Sequence, residues 1–295
     1  MIPILAGVVT ALFFATSVLA SARASRVAGS APTVAIVMLV GVVLTLPFAF
    51  FVTPLPATLD RPVETVFLSA LAGAANVGGL LFTYAAYRAG AVGIVATIGS
   101  TEGATAAVLS VLFGQVLAPG SGAALAVIAI GVALAATGGG GELEEGEPIS
   151  RARSLRAAGL ATCAACLFGF GLYTSGHVSA TLPPAWVILP GRLVGVAAVT
   201  VPLFLTGRLR MPRTVRPFAL LTGFVEVGGF VTFSTGARTD IAITSVLASM
   251  FAPVAAVAAF VLFRERLAPR QILGIVLVVA GIAVLGVLAA GQPAI

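Results

Sequence analysis

Apolar stretches of about twenty residues recur about ten times along this chain of 295 residues, with short polar segments between them. A helix of about 20 apolar residues crosses the hydrocarbon core of a bilayer and satisfies its own backbone hydrogen bonds there. The pattern therefore predicts an all-α integral membrane protein with about ten transmembrane helices. The predicted spans are residues 2–22, 33–52, 66–87, 92–113, 120–137, 157–176, 185–206, 215–237, 241–263 and 272–290.

The composition argues against a soluble or nucleic-acid-binding protein. Charged residues make up 9% of the chain and hydrophobic residues 59%, whereas a soluble domain has about 25% charged residues. The net charge of +6 comes from arginines between the apolar spans, and there is no lysine. We expect the lipid bilayer and a small-molecule solute as partners, no nucleic acid, and a monomer. The sequence offers no His/Cys cluster and no nucleophile–base set, so we expect no cofactor, no metal and no catalytic residue.

The second half of the chain repeats the first at a constant spacing of 150 residues. Asn76-Val77-Gly78-Gly79 corresponds to Glu226-Val227-Gly228-Gly229 at that spacing. Each half contains five predicted spans, and an odd number inserts the halves with opposite orientations. The expected fold is two inverted five-helix repeats, a plan in which secondary transporters bind solute near the midplane. Further matches are Arg88 with Arg238, Val111-Leu112-Phe113 with Val261-Leu262-Phe263, Gly131 with Gly281 and, at a spacing of 154, residues 39–42 with 193–196.

One long polar segment separates the halves. Four consecutive glycines at 138–141 are followed by four glutamates and then three arginines. Such a composition is typical of a flexible, solvated linker. We therefore predict a first repeat at 1–137, a linker at 138–156 and a second repeat at 157–295.

The arginines predict how the protein is oriented. Thirteen of them occupy loops on one face of the predicted topology, and two, Arg61 and Arg238, lie on the opposite face. Loops rich in Lys and Arg stay in the cytoplasm. We expect the linker inside, both termini on the outer side, and the protein in the bacterial inner (plasma) membrane.

A short motif suggests a family. Phe263-Arg264-Glu265-Arg266-Leu267 follows the ninth predicted span, Pro253 lies within that span, and residues 113–117 are a degenerate first copy. Arg192 lies early in the seventh span, where its first-half counterpart is Met38. With these features the chain resembles the drug/metabolite transporter superfamily, in its ten-helix branch with two EamA-like repeats.

The resemblance implies a secondary transporter that works by alternating access. We expect it to export amino acids or related small metabolites, and the sequence leaves open whether protons drive the export. A passive facilitator and a multidrug exporter of cationic or hydrophobic compounds are alternatives with the same fold. Members of the superfamily move diverse solutes, so the resemblance does not name the solute.

Five polar residues within the predicted spans are candidates for solute binding or proton coupling. Glu226 and Glu102 lie near the middle of their spans, where an ionised side chain is costly and is by default a functional candidate. Asn76 is the repeat counterpart of Glu226, and Tyr87 follows it by eleven residues, about three helical turns. Arg192 can pair with a carboxylate of the protein or of the solute. Glu226 and Asn76 can equally hold helices together.

Glu226 is the first residue that we expect to exchange protons, unless Arg192 pairs with it. Glu102 is the next candidate if Glu226→Gln leaves gradient-driven transport unchanged. Tyr84, Tyr173 and Trp186 lie toward span ends, where amphipathic rings are typical anchors at the membrane interface.

Overall fold

The computed structural model describes residues 1–53, 62–90, 92–117, 119–136, 151–251, 253–254 and 269–290. Within these ranges all regular secondary structure is helical, which confirms the predicted fold class. Six helical stretches of the described residues are long and apolar enough to cross a membrane: Ile2–Ala28, Ser30–Phe51, Pro62–Ala89, Leu155–Ser179, Pro184–Leu205 and Arg216–Ala237. Residues 263–267, the end of the ninth predicted span and most of the predicted linker lie outside the described residues.

The described helices follow the predicted spans in order. Helix α7 begins six residues before its predicted span, inside the segment that we interpreted as linker, because its three arginines continue the helix beyond the apolar stretch. The helices are α1 Ile2–Ala28, α2 Ser30–Phe51, α3 Pro62–Ala89, α4 Val92–Gly99, α5 Glu102–Leu112, α6 Ser121–Ala136, α7 Arg151–Ser179, α8 Pro184–Gly195, a π-helical turn Val196–Thr200, α9 Val201–Leu205, α10 Arg216–Ala237, α11 Ile241–Ala248 and α12 Pro269–Ala290.

The fourth predicted span is broken in the middle, contrary to our expectation of a continuous helix. The backbone N–H of Thr101 bonds to the carbonyl of Ile98, 3.1 Å away and three residues back, and the Thr101 hydroxyl donates to the same carbonyl at 2.7 Å. Such local bonds tighten the turn and compete with the α-helical ladder. The break separates α4 from α5 and places Glu102 at the start of α5.

The second repeat contains a matching break. Helix α11 ends at Ala248, and the N–H of Met250 bonds to the carbonyl of Leu247 at 3.1 Å. Ser249 is the counterpart of Gly99 at the spacing of 150 residues. Both repeats therefore interrupt their fourth helix within one residue of the same position.

Reciprocal contacts join the two halves. A Cβ added to Gly79 of α3 would lie 2.6 Å from the ring of Phe168 in α7, and one added to Gly229 of α10 would lie 2.5 Å from the ring of Phe14 in α1. Gly79 and Gly229 are counterparts at a spacing of 150, and Phe14 and Phe168 at 154. The third helix of each half thus packs on the first helix of the other half. Such exchanged pairs are the signature of a two-fold relationship.

Candidate functional site

A cavity lies among α1, α3, α4, α7 and α10, at the level of the break between α4 and α5. The space between its lining atoms is about 740 Å³, including the part open to solvent. Four of the five candidate residues, Asn76, Tyr87, Glu102 and Glu226, line this cavity together. The fold therefore brings together side chains that are up to 150 residues apart in the sequence.

The fifth candidate, Arg192, lies behind the cavity wall and pairs with Glu226. Its Nη1 atom is 3.1 Å from Oε2 of Glu226, and the two side chains are 3% and 4% exposed. The guanidinium also lies over the ring of Phe230, 5.4 Å from the centroid, where a cation is attracted to the π-system. A Cβ at Gly41 would lie 2.5 Å from Cδ of Arg192, so the glycine makes room for the arginine stem. The partner that the sequence left open is a carboxylate of the protein.

Glu102 has a different environment. It is the first residue of α5 and is 5% exposed. Its side chain forms no ion pair and no hydrogen bond with the described residues. Because the carboxylate oxygens have no partner there and are not completely buried, they face the open cavity. One carboxylate in the cavity wall is therefore paired with a cation, and the other is not.

The tyrosines of α3 correct one of our expectations. Tyr84 does not anchor the protein at the membrane interface; it is 1% exposed, lines the cavity, and stacks on Tyr87 with ring centroids 6.4 Å apart. Tyr84 follows Asn76 by eight residues, slightly more than two turns, and so shares its helix face. That periodicity is the signal that could have identified it.

Four phenylalanines also line the cavity, among small and aliphatic residues. Phe14 and Phe168, the counterparts at a spacing of 154, both line it, together with Phe230 and Phe251. Sequence reasoning missed these rings because phenylalanines in an apolar span look like lipid-facing or packing residues. The described wall thus combines two carboxylates, hydroxyl groups and aromatic faces.

No three His, Cys, Asp or Glu side chains lie together so as to hold a metal ion within the described ranges. The described cavity residues form neither a nucleophile–base pair nor a phosphate-binding loop.

The comparisons with known proteins agree with the helical fold and its repeat. The model of the EamA-like transporter family matches residues 1–137 and, a second time, residues 155–287. A solved crystal structure of another protein has a similar fold, with a TM-score of 0.67 over 98% of this chain and 97% of the other. Its sequence identity is 17%, so this likeness concerns the fold alone. No curated protein matches the chain significantly. Two matches to one family model cover nearly the whole sequence, and the chain therefore belongs to the EamA-like transporter family, a family of membrane transporters.

Proposed function

We propose that the protein exports small solutes that carry a protonated amine, in exchange for protons and by alternating access, across the bacterial inner membrane. The amino acids that we expected from the sequence belong to this class of solute. Both termini would lie on the outer side of the membrane.

One observation carries the proposal: the carboxylate of Glu102 has no cationic partner among the described residues. An ionised carboxylate in an apolar surrounding is costly unless a counter-charge is close by. A protonated amine and a proton both supply that counter-charge, and one carboxylate binds only one of them at a time. Because the amine and the proton compete for Glu102, binding of a proton would release the amine, and binding of the amine would release the proton.

The aromatic wall supports an amine with an apolar body. A cation over a Phe or Tyr face gains about 0.5 to 2 kcal/mol, depending on how far it is desolvated. Phe14, Phe168 and Phe251 surround the cavity together with Tyr84 and Tyr87. Both the charge and the body of such a solute would find partners here.

The pairing with Arg192 argues for a positioning role for Glu226 rather than for the proton exchange that we expected of it. The guanidinium already neutralises this carboxylate at 3.1 Å. The ion pair connects α8 to α10, and Glu226 of α10 lies in the cavity wall. Proton exchange is left to Glu102.

The helix breaks support alternating access. Inverted-repeat transporters bind solute beside broken helices and rock one half against the other. Here both fourth helices are broken, and a Cβ at Gly99 would lie 3.6 Å from the ring of Phe251 at the other break. We infer that the two repeats, 1–137 and 157–295, move relative to each other about these breaks.

Transport into proteoliposomes tests the proposal and distinguishes it from passive facilitation. Labelled tyramine is a suitable probe because it combines an amine with an aromatic body, and protein-free vesicles give the background. A pH gradient should raise the initial rate, 2-phenylethylamine should compete, and 3-phenylpropanoate, which lacks the amine, should not. Transport that only equilibrates tyramine, whatever the gradient, would mean a passive facilitator.

A further inference from the structure

A second, smaller cavity adjoins the first between α3, α7, α8 and α10. Its space is about 310 Å³ between the lining atoms, including the open part. The two cavities share Ala72, Asn76, Ser175 and Phe230 in their walls. Arg192 lines only the smaller cavity. A solute in the main cavity would thus meet Arg192 by extending past Asn76 and Ser175.

Arg192 has hydrogen-bond donors to spare. A guanidinium carries five N–H groups. Among the described residues its acceptors are Oε2 of Glu226 and Sδ of Met38, at 3.1 and 3.8 Å, and both are reached from Nη1. The other two nitrogens, Nε and Nη2, have no acceptor among the described residues, and neither is completely buried. They therefore touch open space, although Arg192 as a whole is only 2% exposed.

Asn76 and Ser175 add further donors to the same place. Neither side chain forms a hydrogen bond within the described ranges, and Ser175 is 6% exposed. The wall of the smaller cavity contains no carboxylate of its own. Guanidinium, amide and hydroxyl groups together form a donor-rich pocket that requires an oxygen acceptor.

The main cavity connects this pocket to Glu102. Glu102 and Asn76 both line the main cavity, and Asn76 also lines the smaller one. A small molecule in the main cavity can therefore reach Glu102 with one group and the donor pocket with another.

The charges decide which acceptor fits. Glu226 and Arg192 cancel, so the described walls of the two cavities carry one uncompensated negative charge, that of Glu102. A protonated amine brings the total to zero. A carboxylate on the same solute would restore a net negative charge in a buried site, which is costly. An uncharged carbonyl or hydroxyl oxygen accepts the same hydrogen bonds without that cost.

We propose that the smaller cavity is a subsite for an uncharged oxygen acceptor, and that the preferred solute is an amine with a neighbouring amide, ester or hydroxyl group. The amine binds at Glu102 and the oxygen accepts from Arg192, Asn76 and Ser175. This inference rests on the proposed function, because it takes the amine site at Glu102 as given.

Three probes with the same body test it: L-phenylalaninamide, L-phenylalanine and 2-phenylethylamine, titrated into the purified full-length protein at a pH where all three amines are protonated. One added hydrogen bond should make the amide bind about threefold to tenfold more tightly than 2-phenylethylamine. L-phenylalanine should bind more weakly than its amide. Equal or tighter binding of L-phenylalanine overturns the charge argument, whereas binding of none of the three overturns the proposed function instead.

The variant Asn76→Leu removes donors from the subsite and leaves the Arg192–Glu226 pair in place. The readout is the ratio of two affinities in one protein, so a general weakening of binding does not change it. The ratio of the amide to 2-phenylethylamine should fall toward one, and Ser175→Ala gives the same test if Asn76→Leu does not fold. A ratio that stays at its original value in the folded variant overturns the proposal.

Discussion

Nη1 of Arg192 lies 3.1 Å from Oε2 of Glu226, and both residues are buried inside the helix bundle. Glu226 faces the main cavity, while Arg192 faces the smaller one. The pair connects α8 and α10 of the second half. It lies between the main cavity, which contains the carboxylates, and the smaller cavity, which contains the guanidinium. It also leaves Glu102 as the carboxylate with no cation beside it among the described residues.

Breaking the pair from either side should destabilise the protein. Arg192→Met leaves a buried carboxylate without its cation, and Glu226→Gln leaves a buried guanidinium without its anion. Each change should lower the free energy of unfolding by about 3–5 kcal/mol, as for other buried ion pairs. The double variant should lose clearly less than the sum of the two single losses, measured by denaturant unfolding in mixed micelles. Additive losses would show that the two side chains do not stabilise each other.

Helices α3 and α8 should tolerate no side chain where they cross. A Cβ at Gly73 would collide with the Cα atom of Gly191, and backbone atoms cannot rotate away. Gly73→Ala should therefore lower the unfolding temperature and the yield of folded protein. Gly159→Ala is the matched control, because nothing lies within 4 Å of its added Cβ and alanine favours helix by about 1 kcal/mol. Equal effects of the two changes would contradict this helix crossing.

Asp240 should stabilise the start of α11. Its Oδ1 atom accepts from the backbone N–H of Ile243 at 2.8 Å and from Nε2 of Gln115 at 2.7 Å. Replacing an N-cap residue of this kind by alanine costs about 1 kcal/mol. Asp240→Ala should lower the free energy of unfolding by about that amount, whereas Asp240→Asn keeps an acceptor oxygen and should lower it less. If the two variants lose the same stability, the cap contributes little.

The arginine distribution predicts that the C-terminus lies outside the cytoplasm. Thirteen arginines against two place the opposite loops inside. A reporter that fluoresces only in the cytoplasm should stay dark when fused to the C-terminus, and should be bright in the loop between the repeats. Bright fluorescence from the C-terminal fusion would reverse the orientation and the proposed direction of transport.

Much of the architecture could be predicted because hydropathy and repeats are properties of the sequence alone. Glu226, Asn76, Glu102 and Tyr87 were identifiable as polar residues in apolar spans, and the structure brings all four to one cavity. Their roles in transport stay predictions.

Other features depend on information that hydropathy does not contain. The break at Ser100 and Thr101 comes from hydroxyl and backbone bonds within a stretch that is as apolar as a continuous helix. Tyr84 looked like an interfacial anchor because its distance from the span end was considered and its helix face was not. The partner of Arg192 depends on how α8 and α10 pack, which no local pattern specifies.

Glu102 is the residue on which the proposed exchange depends most directly. One measurement tests its role: the initial rate of tyramine transport driven by a pH gradient in proteoliposomes containing Glu102→Gln. The substitution keeps the size of the side chain and removes its charge. Glu64→Gln is the matched control, since Glu64 is an exposed carboxylate in the first turn of α3, away from the cavity. We predict that Glu102→Gln loses gradient-driven transport while Glu64→Gln retains it. Gradient-driven transport at the original rate in folded Glu102→Gln would contradict the account.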